Sequence, residues 1–181
     1  MDDLIQLAEL VRQRNLLERE ITALINRPAA MGHIGEYIAS RVFHIVLEES
    51  ASHKSIDGRF IDGPLKSRTV NIKWYAQQEG LLAITPNTAP DYYLVLTGPK
   101  SGAMSSRGQV RPWTIEYIYL FESQTLVDEL KRVGVKIGIA TSVRQLLWTA
   151  AEIHPLTNNP ALVLSAEQRE ALALFSSRAG F

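Results

Sequence analysis

The sequence predicts an α/β protein in which a mixed central β-sheet is flanked by helices, and three stretches carry that prediction. Residues 2–27 place apolar side chains at three- and four-residue steps with no Gly or Pro before Pro28, the period of an amphipathic helix. Residues 55–75 set two runs rich in β-branched and aromatic residues on either side of Asp62-Gly63-Pro64, which is the chemistry of a β-hairpin. Residues 92–97, Tyr-Tyr-Leu-Val-Leu-Thr, form a near-continuous apolar run of strand length, as expected of a central strand covered on both faces.

A chain of 181 residues is long enough for one domain with a substantial core, and no linker divides it. The expected organisation is an N-terminal helix over 1–30, a core over 31–155 and a C-terminal helix over 156–181. No apolar run reaches transmembrane length and no signal-type leader opens at Met1, so a soluble, cytoplasmic protein with no membrane partner is expected. Zero cysteines exclude disulfides and thiolate metal sites. A bound metal would then be held by oxygen or imidazole, which favours hard cations such as Mg²⁺ or Mn²⁺. The histidines, His33, His44, His53 and His154, include no close pair of the zinc-helix kind. A formal net charge of zero argues against coating nucleic acid by bulk basicity, leaving a local patch as the route to it.

In the first helix, Leu4, Leu7, Val11, Leu17, Ile21 and Leu24 mark the apolar side, read as packing on the helix's own domain. The alternative is a dimer arm: Leu10, Leu17 and Leu24 are seven apart, although Asp3 and Arg14 occupy positions that a coiled-coil seam keeps apolar. Residues 27–30 break this helix. A second is predicted from Gly32 or Gly35 to about Glu49, with Ile34, Ile38, Val42, Ile45 and Val46 as its apolar face. Glu36 then lies in its first turn, where a carboxylate complements the helix dipole. Residues 50–54 read as a polar connection.

Beyond the hairpin, residues 81–84 read as a short strand and 85–90 as a loop. Residues 98–111 form a Gly/Ser-rich loop carrying Lys100, Arg107 and Arg111 and no acidic residue, which suits phosphate contacts. Residues 113–121 read as a strand. Ser123 or Thr125 is expected to cap a helix to Arg132, stopped by Gly134. A short strand over 135–140 follows, then a helix opened by the capping-box pattern Ser142 to Gln145 and running to about Ile153. The same pattern from Ser165 to Gln168 opens a last helix ending near Arg178.

The chemistry is concentrated in the hairpin. In residues 70–74, Val70, Ile72 and Trp74 share one face of a strand, and Asn71 and Lys73 project from the other. If the hairpin is symmetric about Pro64, Asp57 lies opposite Asn71, and directly opposed Cβ atoms are roughly 4.5–5.5 Å apart. Asp57, Asn71 and Lys73 then converge on one metal-sized spot. Metal-aided phosphodiester hydrolysis needs oxygen ligands, a polarised water and positive charge near the phosphate, and these three side chains supply that set. Each also has a plainer reading: Asp57 as a strand-end acid, Asn71 as an exposed strand residue, Lys73 as a guard on an edge strand.

A helix bearing Glu36, then Asp57 on a strand, then Asn71-Ile72-Lys73 on the next strand resembles the PD-(D/E)XK nuclease superfamily, with an Asn-Ile-Lys variant of its acidic-X-Lys motif. The resemblance spans about residues 32–96. It implies a restriction-endonuclease-like core over 31–155, Mg²⁺ (or Mn²⁺) held by Asp57, Asn71 and Glu36, and a catalytic role for Lys73 with Asp57 and Glu36. Two departures stand out. Asn replaces the usual acid before X-Lys, removing a negative charge, and Ile56 rather than Pro precedes Asp57, while Pro90-Asp91 comes after the Lys motif. The implied function is a metal-dependent endonuclease of restriction or defence type that cuts double-stranded DNA as a homodimer. Lys66, Arg68, Lys100, Arg107 and Arg111 are its candidate DNA contacts. A second reading is a degenerate module of the same fold that binds DNA or a protein without cleavage, and a third is a structural oligomer built through the first helix.

Overall fold

The computed structural model describes residues 1–48, 55–85, 90–100 and 110–178. Residues 50–54 with His53, Arg107 and most of the predicted basic loop lie outside them. A six-stranded mixed sheet organises the chain, in the order β1-β2-β3-β5-β6-β8, built from β1 (Ile45–Leu47), β2 (Gly58–Phe60), β3 (Thr69–Tyr75), β5 (Tyr92–Thr97), β6 (Tyr117–Glu122) and β8 (Glu152–His154). β3 and β5 run parallel, in register Val70↔Tyr92 to Tyr75↔Thr97, and the other neighbours are antiparallel. β4 (Leu81–Leu82) and β7 (Thr141–Ser142) form a separate two-stranded ribbon. The helices are α1 (Asp2–Ile25), α2 (Met31–Val42), α3 (Ser123–Arg132), α4 (Gln145–Ala151) and α5 (Ala166–Ala173). The predicted α/β class with a mixed, helix-flanked sheet is what the chain adopts, and no helix among the described residues is long and apolar enough to cross a membrane.

Two apolar layers sandwich the sheet. On one face, Val70, Ile72 and Trp74 pack with Ile38, Ala39 and Val42 of α2 and Leu172 of α5. The approach is close, since a Cβ on Gly35 would sit 3.0 Å from Trp74 Cβ. On the other face, Tyr93, Val95, Tyr119 and Phe121 pack with Leu126 and Leu130 of α3 and Trp148 of α4. β5 is therefore covered on both sides, as its apolar run predicts; Leu94, Val95 and Leu96 are fully buried.

Several local expectations are corrected. α2 stops at Val42 because His44 adopts a left-handed backbone (φ 51°), and the β-branched and aliphatic residues 45–47 form β1 instead of extending the helix. Since α2 begins at Met31, Glu36 sits beyond the first turn and the helix-dipole reading does not apply. Glu122, not Ser123 or Thr125, caps α3: its carboxylate accepts from Gln124 N and Thr125 N at 3.3 and 2.7 Å. The strand expected over 135–140 is displaced to residues 141–142, because Gly138 O is taken by Ile84 N and by the Thr141 hydroxyl. Ser142 lies in that strand and opens no helix; α4 starts after Arg144 and ends at Ala151. Residues 152–154 then pair with β6, a tertiary pairing that buries Ile153 and overrides helical period. The strand expected from Trp113 begins at Tyr117. The Ser165 capping box forms in full, with Ser165 N donating to Gln168 Oε1 and Gln168 N donating to Ser165 Oγ, although its helix ends at Ala173 rather than near Arg178.

The reading of α1 as packed on its own domain is overturned. Among its residues Ile25 alone is buried, and Leu4, Leu7, Leu10, Leu17 and Leu24 are 55–71% exposed.

Candidate functional site

The hairpin forms with the predicted register over its inner part. Gly58 pairs with Val70 and Arg59 with Thr69, both symmetric about residue 64, and a 3-10 turn (Gly63–Leu65) makes the bend, with Gly63 at φ 65°. At Asp57 the ladder becomes irregular. Its N–H donates to Val70 O at 2.9 Å, while its carboxylate Oδ2 accepts the N–H of Ile72 at 2.6 Å. The two contacts bracket Asn71: one backbone group lies before it, the other after it. An aspartate side chain thus replaces a strand carbonyl at the point where β2 gives way and the flank of β3 would be open.

Asn71 and Lys73 occupy the face of β3 opposite Val70, Ile72 and Trp74, as predicted, yet that face is not solvent. Their parallel neighbours Tyr93 and Val95 belong to the second apolar layer. Asn71 is 3% exposed, and its Oδ1 is buried without a hydrogen-bond partner. The plainer reading of an exposed Asn71 therefore fails, whereas Lys73 lies past the last residue of β3 that pairs with β2 and has β5 alone as its strand neighbour among the described residues. A buried carbonyl oxygen left unpaired costs about 1–3 kcal/mol, so this atom marks stored polarity beside Asp57. Lys73 is half-buried and lines a cleft of about 430 Å³ with Ala83, Ile84, Thr85, Gly138 and Ile139.

The electrostatics centre on Asp57. Burial pushes its carboxyl above the usual carboxylate range; the Ile72 N–H, the Lys73 ammonium and the Arg27 guanidinium act in the opposite direction and do not cancel it. Arg27 was not among the predicted site residues. It follows the left-handed Asn26 that ends α1 and forms a close ion pair with Glu36. Glu36 is thereby connected to Asp57 through a shared cation, from a helix that packs on the opposite face of the sheet from Asn71 and Lys73. Nothing local in the sequence distinguishes Arg27 from the other arginines of the first helix; the Pro28 break that turns the chain back beside α2 is the one signal.

The raised pKa has a measurable consequence. Asp57 binds its proton more tightly in the fold than in the unfolded chain, so its ionisation opposes folding once the pH rises through the folded-state value. Asp57→Asn keeps an acceptor for Ile72 N–H and removes the charge. It is expected to melt at a higher temperature than wild type at pH 7, with the difference vanishing below about pH 3.8, where the carboxyl is protonated in both states. Differential scanning calorimetry at a series of pH values reads this directly.

The remaining predicted residues are dispersed. Lys100 donates to the buried Glu152 at 3.4 Å and lies 4.2 Å from the centre of the Tyr117 ring, so its ammonium serves a structural pair. Arg111 faces Glu79 at 3.2 Å, and Arg68 faces Asp91 at 3.2 Å. Lys66 is exposed at the end of the 3-10 turn. Asp91, from the out-of-order Pro-Asp pair, has a structural role: its carboxylate accepts from Thr69 N and Thr69 Oγ1, tying the start of β3 to the start of β5.

No family model matches this chain, and no curated protein matches it in sequence. The oxygens available for a cation are Asp57 Oδ1, Asn71 Oδ1 and, across Arg27, the Glu36 carboxylate; all are hard donors. Among the described residues no cluster of three or more Asp, Glu, His or Cys side chains converges, so the ligand set would be sparse in charge. Mg²⁺ tolerates such a set, because it keeps several waters and binds through one or two carboxylates plus substrate phosphate.

Proposed function

We propose that the chain is a metal-dependent endonuclease of restriction or defence type, with a restriction-endonuclease-like core, that hydrolyses phosphodiester bonds of double-stranded DNA as a homodimer. The observation that carries this reading is the buried, unpartnered Oδ1 of Asn71, the residue whose two neighbours in β3, Val70 and Ile72, both bond Asp57 through their backbone. A buried amide oxygen is costly unless an ion or a ligand meets it, and Lys73 follows on the same face of β3 while Asp57 bonds the backbone on either side of Asn71. Asp57 supplies the anionic ligand and Asn71 the neutral one. Mg²⁺ (or Mn²⁺) bound there would lower the pKa of a coordinated water and offset charge on the phosphate. Lys73 orients the attacking water and stabilises negative charge as it develops. Glu36, the further ligand that the resemblance implies, is held by Arg27 on the α2 side of the sheet and would have to exchange that guanidinium for the cation. Lys66, on an exposed turn, contributes backbone contact, and in this reading Lys100, Arg111 and Arg68 support the fold more than the DNA. Incubation of supercoiled plasmid with the protein and Mg²⁺ or Mn²⁺ is expected to yield nicked and linear DNA, quenched by chelator; an intact plasmid under both metals contradicts the reading.

A second reading, a catalytically degenerate module that binds DNA or a protein partner, is favoured by the Arg27–Glu36 pair. With Lys73 it balances the charge of Asp57 and Glu36 without a metal. Calorimetric titration separates the two: DNA binding that weakens steeply with salt, together with no heat from Mn²⁺, belongs to the module.

A further inference from the structure

We propose that the segment joining α3 to α4 holds the phosphate backbone of the DNA on its way into the Lys73 cleft, through Lys136 and Arg144. This rests on the reading of the Asp57 site as a nuclease and supplies the surface that reading lacks, since Lys100, Arg111 and Arg68 are each set against a carboxylate. The chain has no net charge, yet residues 130–151 hold Lys131, Arg132, Lys136 and Arg144 and no acid. The rest of the chain carries the other 15 of its 19 cations against all 19 acids. The segment is a basic island on an acidic protein, the distribution that draws a polyanion to one place.

The fold presents this segment on the side of the sheet that holds Lys73. α3 and α4 cover the face of β3 from which Asn71 and Lys73 project. Between the two helices Val135 and Ile137 pack onto that layer, while Lys136, the residue between them, is exposed. Two and three residues further on, Gly138 and Ile139 line the Lys73 cleft. The backbone here is tied down: Gly138 O accepts from Ile84 N at 3.0 Å and from the Thr141 hydroxyl at 2.8 Å, and Val143 N donates to Gly80 O at 2.9 Å just before Arg144. A segment already held in this way needs little ordering when it meets a ligand. Local roles account for some of the charge. Lys131 and Arg132 lie in the last turn of α3, where cations complement the helix dipole, and Arg132 donates to Glu129 at 2.7 Å. Asp128, the other acid of α3, accepts from Gln124 at 2.9 Å. Arg144 favours the Glu129 carboxylate without pairing with it, and neither Lys136 nor Arg144 forms an ion pair with a described residue. Two acids against four cations leave the surface positive, with Lys136 and Arg144 as its uncommitted charges.

Fluorescence anisotropy of a short labelled DNA duplex with the full chain in chelator, where nothing is cut, reads this surface apart from the chemistry. Lys136→Gln/Arg144→Gln is expected to bind roughly 10–100-fold more weakly at about 0.1 M salt, with the slope of log K against log salt smaller by about 2, as two lost phosphate contacts require. Both side chains are exposed, so its melting temperature should match wild type. Arg12→Gln/Arg19→Gln, which removes two exposed cations from α1, is expected to leave affinity and slope unchanged. A wild-type slope in the Lys136 and Arg144 variant, or an equal loss in the α1 variant, would overturn the proposal. Plasmid cleavage that does not depend on the pair overturns it and leaves the nuclease reading in place. DNA binding that depends on the pair, with the plasmid uncut, supports this surface and removes the nuclease reading instead.

Discussion

Lys73→Ala is expected to lower the rate of plasmid cleavage by about 10²–10³-fold or more, the usual loss when a fixed electrostatic donor is removed from a hydrolytic site. The fold should survive. Lys73 is half-buried at the wall of a cleft, and no hydrogen bond or ion pair to another described side chain depends on its ammonium. Its influence on Asp57 also gives the variant a second signature. The ammonium favours the carboxylate, so its removal pushes the Asp57 pKa further up, and the acid limb of the residual pH–rate profile should move to higher pH. Cleavage by Lys73→Ala at the wild-type rate would remove Lys73 from the mechanism.

Trp148→Ala is expected to destabilise the protein by about 3–5 kcal/mol, a large part of the stability of an ordinary domain. Trp148 is 1% exposed and meets Tyr119 and Phe121 edge-on, with ring centroids 4.8 and 5.0 Å away. It is the contact through which α4 is held on β6, in the layer that also covers Tyr93 beside Asn71. Trp148→Phe should cost markedly less, because the indole N–H is buried without a partner and its loss removes a penalty along with the contact area. Chemical denaturation of the two variants measures both losses. A Trp148→Ala protein as stable as wild type would mean that this layer does not hold the sheet.

The parts of the fold that were legible are those where local pattern and tertiary demand agree. The strand over 69–75 and the strand over 92–97 form with the predicted bounds, since β-branched and aromatic runs flanked by turn residues leave little alternative. The two faces of β3 were readable from alternation alone. What alternation could not show is that the second face is also covered, because the cover comes from α3 and α4, fifty or more residues later. The misses share that origin. Residues 152–154 continue a helical period but are captured by β6, and residues 45–47 leave α2 because β2 offers them a partner. The approach of Asp57 to β3 around Asn71 was legible from the symmetry of the hairpin about residue 64. It was not legible that Asp57 would use its own carboxylate to replace a ladder carbonyl, nor that Arg27 would stand between Asp57 and Glu36, since both depend on where β2 ends and on how the chain turns at Pro28. The exposed seam of α1 was misassigned for a simpler reason: an apolar stripe records that a helix needs a partner and says nothing of whether the partner is its own chain.

In the proposed site Asp57 and Asn71 together hold a divalent cation. Crystals soaked in Mn²⁺ and measured at the manganese absorption edge test it most directly. An anomalous peak is expected within coordination distance, about 2.0–2.2 Å, of an Asp57 carboxylate oxygen and of Asn71 Oδ1. A map with no peak there at saturating Mn²⁺, with the Arg27–Glu36 pair intact, would contradict it.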